Sequence, residues 1–189
     1  DILVIGSLTP SSFIAKSDVK AWPGVGLLAD LARTVYVDRA RRQATGETTS
    51  VIAQRLIDGD AMILFPEGTT GDGTHVLPFR SALLGAARAA LIDGGHQRVH
   101  VQPLSIAYTA CHGLRLNRRE RGLIAWHGDE ELAPHLWAVL KAGAIDADIT
   151  WGRAVAFDET TDRKALTRDL ETRVRRMTAK RIAGHRVDE

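Results

Sequence analysis

The chain has 189 residues, 44% of them hydrophobic and 25% charged, which suits one well-buried domain and leaves little room for two. Its 25 basic and 23 acidic side chains leave a net charge of +2, so the molecule as a whole is no polyanion binder. A single cysteine, Cys111, excludes an internal disulfide and fits a reducing compartment, and no apolar run reaches the roughly 18 residues of a spanning helix.

Taken in chain order, Asp1 opens directly onto the apolar run Ile2-Leu3-Val4-Ile5, which reads as a short helix over residues 2–8 ended by Thr9-Pro10-Ser11-Ser12. Phe13–Lys16 reads as a strand. Ser17-Asp18 caps a helix running to about Arg33, which Pro23 and Gly24 kink or split. Thr34–Val37 is a β-branched and aromatic strand. Thr48–Ile57 has helical spacing and stops at Asp58-Gly59-Asp60. Ala61–Phe65 is a continuous apolar run of strand length, suited to a sheet buried on both faces.

A turn-rich loop, Pro66–Thr74, follows. Phe79–Ile92 reads as an Ala/Leu helix, Val99–Tyr108 as a strand and Leu123–Trp126 as another. Leu132, Leu136 and Leu140 mark a helix in which core packing is the commoner reading of Trp137, although tryptophan also favours a membrane interface. After a strand at Ile145–Trp151, residues 162–182 place Leu166, Leu170, Val174 and Met177 on one stripe among arginines, an amphipathic helix. Strands alternating with helices argue for an α/β fold around a mixed, largely parallel sheet flanked by helices, in a single domain over 1–189.

The stretch with chemistry in it is Phe65-Pro66-Glu67-Gly68-Thr69-Thr70-Gly71-Asp72-Gly73-Thr74. A strand ends at a proline, so the chain must turn out of the sheet there, and open α/β sheets bind ligands in the loops beyond strand ends. A carboxylate, glycines and hydroxyls in such a loop suit a polar ligand. Glu67, Asp72 and His75 match neither calcium nor zinc spacing, so no metal site is expected. Cys111 and His112 are strand neighbours pointing to opposite faces, which argues for a structural cysteine. Arginines gather at 39–42, 115–121 and 173–181. They lack the interleaved aromatics of a nucleic-acid surface, and no nucleic-acid partner is expected.

Phe65-Pro66-Glu67-Gly68-Thr69 resembles the third sequence block of the glycerolipid acyltransferase family, which includes the 1-acylglycerol-3-phosphate acyltransferases. The other blocks follow in order. Asp1-Ile2-Leu3-Val4-Ile5 resembles the end of the family's opening His-x-x-x-x-Asp motif, Phe13–Lys16 with Trp22-Pro23 and Gly26 the next segment, Val35–Arg39 the second block and Val101–Leu104 the fourth. The resemblance implies a glycerol-3-phosphate acyltransferase-like α/β domain. A histidine would take the proton of the acceptor hydroxyl as it attacks an acyl thioester, with Asp1 orienting the imidazole. That histidine would stand five residues before Asp1, and none of the seven histidines present fits the motif. The natural protein is therefore expected to extend upstream, where any membrane anchor would also lie.

By the same resemblance Glu67 is a second catalytic residue that shapes the acceptor site with Gly68, and Arg39 supplies positive charge; Thr69 and Thr70 beside them are acceptor-binding candidates, and Arg80 is a candidate second cation at the start of the following helix. The donor would be acyl carrier protein or coenzyme A thioester, with no bound cofactor. The acceptor would be a lysolipid at the cytoplasmic face of the inner membrane. Many members carry an arginine directly after Phe-Pro-Glu-Gly-Thr, where a guanidinium grips a phosphate in bidentate fashion. Here that position is Thr70, and Asp72 adds an anion. Both changes disfavour a phosphomonoester and favour a zwitterionic or amine-bearing lysolipid. With Ala125–Asp129 and Pro134–Trp137 they resemble the branch of lyso-ornithine lipid acyltransferases, beside which lysophosphatidate stays open. Arg33 also stands where the second block often has glycine. A non-catalytic lipid-binding module related to these enzymes is the alternative.

Overall fold

A computed structural model describes residues 1–22, 25–37, 42–84 and 98–185. Their contacts gather into two compact units: Asp1–Pro66 with Ser81–Val101 and Ala156–Arg163, and Glu67–Arg80 with Gln102–Val155 and Lys164–Glu189.

In the first unit β1 (Ser12–Lys16) is the middle strand of a parallel sheet, between β2 (Val35–Val37) and β3 (Met62–Ile63). Parallel neighbours need long crossovers. The first carries a 3₁₀ turn, Ser17–Ala21, and α2 (Val25–Leu31); the second carries α3 (Arg42–Ile57). The expected helix therefore divides around the Pro23-Gly24 position, which lies outside the described residues, and α3 begins earlier than its apolar spacing suggests. Phe13 is buried at the centre of β1, and α1 (Ile2–Gly6) buries Ile5. Arg33 takes φ +52°, the left-handed conformation that favours glycine at a helix end, while Thr34 N closes back onto Ala29 O. That accounts for the glycine common at this place. Arg55 then ties strand to turn, donating to Ser12 Oγ at 3.0 Å and Arg33 O at 2.7 Å.

The run Ala61–Phe65 departs from expectation. Only Met62–Ile63 is strand, it lies at the sheet edge among the described residues, and residues 62–65 are half-buried. Hydrophobicity sets the run's length, but the ladder with β1 covers only Ser12↔Met62 and Phe13↔Ile63, although β1 itself continues to Lys16, and the chain turns at Pro66. β4 (Val99–Val101) forms a separate two-stranded sheet with β8 (Val155–Phe157), whose Phe157 is buried. The single strand expected over 99–108 is thus two strands, broken at Gln102-Pro103, where proline has no N–H for a ladder. Of the helix expected over 79–92, residues 81–84 form a 3₁₀ turn and 85–92 lie outside the described residues.

The second unit is built on β5 (Leu104–Cys111), antiparallel to β6 (Leu114–Arg115) on one side and β7 (Ile145–Trp151) on the other. The ladder runs from Leu104↔Trp151 to Cys111↔Ile145 with an irregularity between Tyr108 and Ala110. α6 (Arg163–Ile182) packs on it. Ser105 Oγ and Thr178 Oγ1 share a buried hydrogen bond of 2.7 Å, and Arg181 Nε donates to Thr150 Oγ1 at 3.2 Å. The predicted stripe of Leu166, Leu170, Val174 and Met177 is buried throughout.

Leu123–Trp126 is not a strand. α4 (Arg118–Ile124) is set up by a capping box in which Asn117 accepts from Arg119 N and Glu120 N while Glu120 accepts from Asn117 N. The reciprocal cap starts a helix whose last residues are the apolar ones. α5 (Leu132–Lys141) forms as expected, but none of its residues is buried. Trp137 is 61% exposed with Lys141 Nζ 5.3 Å from its ring centre, so core packing is not its role. Trp126 Nε1 donates to Glu130 O at 2.7 Å. No helix of the described residues is long and apolar enough to cross a membrane. Cys111 Sγ and His112 Nε2 both lie against Ala142 O, at 3.7 and 2.7 Å, which ties the end of β5 to the chain beyond α5.

Candidate active site

The loop that leaves β3 carries the Glu67 motif. Pro66 and Glu67 turn, and Gly68 takes φ +70°, a conformation that carries no penalty for glycine. Glu67 is half-buried. Its Oε2 accepts a hydrogen bond of 2.9 Å from Leu77 N, ten positions later, closing the loop on itself. Inside that loop Asp72 Oδ1 accepts from Thr74 N at 3.0 Å and from Thr74 Oγ1 at 2.6 Å. His75 Nδ1 lies 3.0 Å from the same hydroxyl and 3.5 Å from Asp72 Oδ1. Gly73, at φ +71°, passes so near α4 that an added Cβ would stand 3.0 Å from the Ala125 methyl and 3.5 Å from Arg121 O.

The far limb of the loop is held by α6. Phe79 N donates to Glu171 Oε2 at 2.8 Å, and Arg175 Nε donates to Val76 O at 3.2 Å. Arg175 Nη2 meets Glu171 Oε1 at 2.9 Å. A stretch with no strand or helix of its own is thus fixed by carboxylates and a guanidinium.

Burial pushes the Glu67 carboxyl above its usual range, against the downward pull of the Leu77 amide, His75 and Arg175 and with the repulsion of Glu171. Asp72 moves the other way. The Thr74 hydroxyl and amide hold its carboxyl below the usual range, so it is anionic at neutral pH. The loop therefore offers one carboxylate that gains protons readily and one that resists them. With Glu67 turned to Leu77 N and Asp72 to Thr74, the two acids serve separate partners. Among the described residues no three His, Cys, Asp or Glu side chains are grouped to hold a metal.

Of the residues singled out from sequence, Glu67, Gly68, Thr69, Thr70 and Arg80 lie on this loop, with Thr69, Thr70 and Arg80 exposed. Asp1 belongs to the first unit, where it is the N-cap of α1 and its carbonyl accepts from Ile5 N at 2.9 Å. Arg39 lies outside the described residues. Sequence reasoning missed Glu171 and Arg175. Their spacing of four on one helix announces an ion pair, but nothing local announces that the pair faces a loop some 92 to 99 residues earlier.

The family model described as Acyltransferase matches residues 1–107. A lyso-ornithine lipid O-acyltransferase of Brucella abortus is 51% identical over all 189 residues of this chain and 71% of its own length. Another, of Rhizobium meliloti, is 45% identical over 97% of this chain and 63% of its own. A 1-acyl-sn-glycerol-3-phosphate acyltransferase of Neisseria gonorrhoeae is 28% identical, covering 95% of this chain and 65% of the relative. The chain thus spans about two thirds of the length of these relatives. The crystal structure of the 1-acyl-sn-glycerophosphate acyltransferase of Thermotoga maritima superposes with a TM-score of 0.58 over 99% of this chain and 62% of that one, at 19% identity. That likeness bears out the expected α/β fold.

Proposed function

Because this chain belongs to the acyltransferase family, we propose that it moves a fatty acyl group from a thioester carrier to the free hydroxyl of a lysolipid, with lyso-ornithine lipid as the favoured acceptor. The carrier in this reading is acyl carrier protein or coenzyme A. The observation that carries the acceptor choice is the charge of the Glu67 loop. Thr70 occupies the place of the phosphate-gripping arginine, and Asp72 is kept anionic by Thr74. A phosphomonoester would meet repulsion there, whereas the ammonium of an ornithine head group would be attracted, with exposed Arg80 available to its carboxylate. The lyso-ornithine relatives at 51% and 45% identity support the same choice.

In the reaction the acceptor oxygen attacks the thioester carbonyl, the C–S bond breaks, and the hydroxyl proton passes through an imidazole to the departing thiolate. By resemblance that imidazole belongs to a histidine five residues upstream of Asp1, and Asp1 orients it. Glu67 shapes the acceptor end through its hold on Leu77. The protein works at a membrane surface, a reading supported by α5, where Trp137 and Leu140 are exposed beside Lys141, and the cytoplasmic side rests on the family resemblance alone.

The test incubates the full-length protein with labelled acyl carrier protein thioester or acyl coenzyme A, offering lyso-ornithine lipid and lysophosphatidate in parallel. Label is expected on the ornithine lipid. Glu67→Ala should lower the rate on the order of 10- to 100-fold, the worth of one charged hydrogen bond, while the circular dichroism spectrum is kept. Label on neither acceptor would leave a lipid-binding module. Undiminished transfer by the Glu67 variant would remove the loop from the site.

A further inference from the structure

We infer that Glu171 and Arg175 of α6 are positioning residues for acyl transfer, holding the Val76–Phe79 backbone and, through it, the carboxylate of Glu67. The inference rests on the placement of the Glu67 loop at the acceptor site proposed above. It uses residues beyond the 1–107 segment that the family model matches.

The geometry is economical in donors. Pro78 has no N–H, so between Val76 and Arg80 the limb presents two backbone donors that flank it, Leu77 N and Phe79 N. Each is taken by a carboxylate, Glu67 at 2.9 Å and Glu171 at 2.8 Å. The carbonyl just before them, Val76 O, is taken by Arg175. Arg175 spends Nε on the loop and Nη2 on Glu171, so one planar guanidinium sets the helix carboxylate and the loop carbonyl at a fixed separation. A lysine, with one nitrogen on a flexible stem, cannot hold both in that way. A half-buried loop without regular structure keeps its shape only if its polar groups are satisfied. Here the satisfaction of two of them is delegated to a single i,i+4 pair.

The pair also brackets Glu67 electrostatically. Arg175 stabilises its charged form and Glu171 opposes it, with His75 on the loop itself as the remaining titratable neighbour. Removing the two partners should move the titration of Glu67 in opposite directions, which a generic loss of packing would not do.

Four variants of the full-length protein test this: Arg175→Ala, Arg175→Lys, Glu171→Gln and, as control, Arg173→Ala. Arg173 pairs with Asp169 at 2.8 Å on the same helix with the same spacing. Arg175→Ala and Glu171→Gln should each lower kcat/KM for the lysolipid on the order of tenfold, mainly through KM, and Arg175→Lys should recover only part. The Glu67 carboxyl, followed by the NMR shift of its labelled side chain, should titrate at higher pH in Arg175→Ala and at lower pH in Glu171→Gln. Amide exchange in a peptide covering residues 70–80 should quicken in both, and in Arg173→Ala neither rate nor exchange should change. A Glu67 titration that stays put or moves the same way in both variants overturns the proposal, as does equal loss in the control. If Glu67→Ala is inactive while these variants are not, only the clamp fails. If exchange quickens but Glu67→Ala is fully active, the clamp holds a loop outside the site, and the functional reading fails instead.

Discussion

The β5–β7 ladder and the 67–80 loop lie in the same unit, and both have half-buried backbone groups to satisfy, but they do so with different partners. In the ladder the partner is backbone, repeated from Leu104↔Trp151 to Cys111↔Ile145, and almost any side chain permits it. In the loop the partners are individual side chains: Glu67 for Leu77 N, Glu171 for Phe79 N, Asp72 for Thr74 N and Arg175 for Val76 O. The ladder therefore depends on what packs against it and the loop on a few charges. α6 serves both, with an apolar stripe for one and the Glu171–Arg175 pair for the other.

The largest effect expected from this division is on the stripe. Leu170 is 5% exposed in the middle of α6, and Leu170→Ala should lower the unfolding free energy by about 2–5 kcal/mol. Denaturant titration would read it. Arg175→Ala, whose side chain is 46% exposed, should barely move the same midpoint while lowering activity. If both variants lost stability alike, the two faces of the helix would not be doing separate jobs.

A smaller effect is expected where the loop brushes α4. Gly73→Ala puts a Cβ at φ +71° and 3.0 Å from the Ala125 methyl, a change worth about 1–2 kcal/mol against the loop's native shape. Because that cost falls on a segment with little backbone ladder, it should emerge as faster amide exchange over 67–80 and a raised KM. The unfolding midpoint of the whole protein should shift less than in Leu170→Ala. A midpoint loss as large as the core variant's would mean that the loop is part of the cooperative core.

The same contrast explains which parts of the molecule are legible in its sequence. The α6 stripe was legible because burial repeats every three to four residues, and β7 because Ile145–Trp151 is bounded and β-rich. The family blocks placed the Glu67 loop after a strand. What failed was local pattern against context. Val99–Tyr108 hides the break at Pro103, Leu123–Trp126 is apolar because it ends a helix that Asn117 begins, and Ala61–Phe65 leaves its ladder with β1 after Ile63. Trp137 reads as core by its helical spacing, although α5 buries none of its residues. The clamp on the loop was illegible for a different reason: it joins single residues far apart, and no periodicity marks a contact made once.

The smallest effect concerns the acid that resists protonation. Asp72 is held below the usual carboxylate range chiefly by the Thr74 hydroxyl and then by its amide. A depressed folded-state value means that the charge stabilises the fold above the unfolded-state value of about 3.9 and that this contribution fades as pH falls through the lower, folded one. Asp72→Asn keeps an oxygen for Thr74 N but removes the charge. The variant should therefore be slightly less stable at neutral pH, by under about 0.5 kcal/mol at so exposed a site, and the gap to the parent should close below about pH 4. Thermal melts of both proteins across that window would show it. The comparison between ladder and loop sharpens here, because a ladder amide has no such titration. If the gap were the same at pH 3 and pH 7, Asp72 would be acting through shape alone, and the anionic character assigned to the acceptor end of the loop would have to come from Glu67, whose own carboxyl moves the other way.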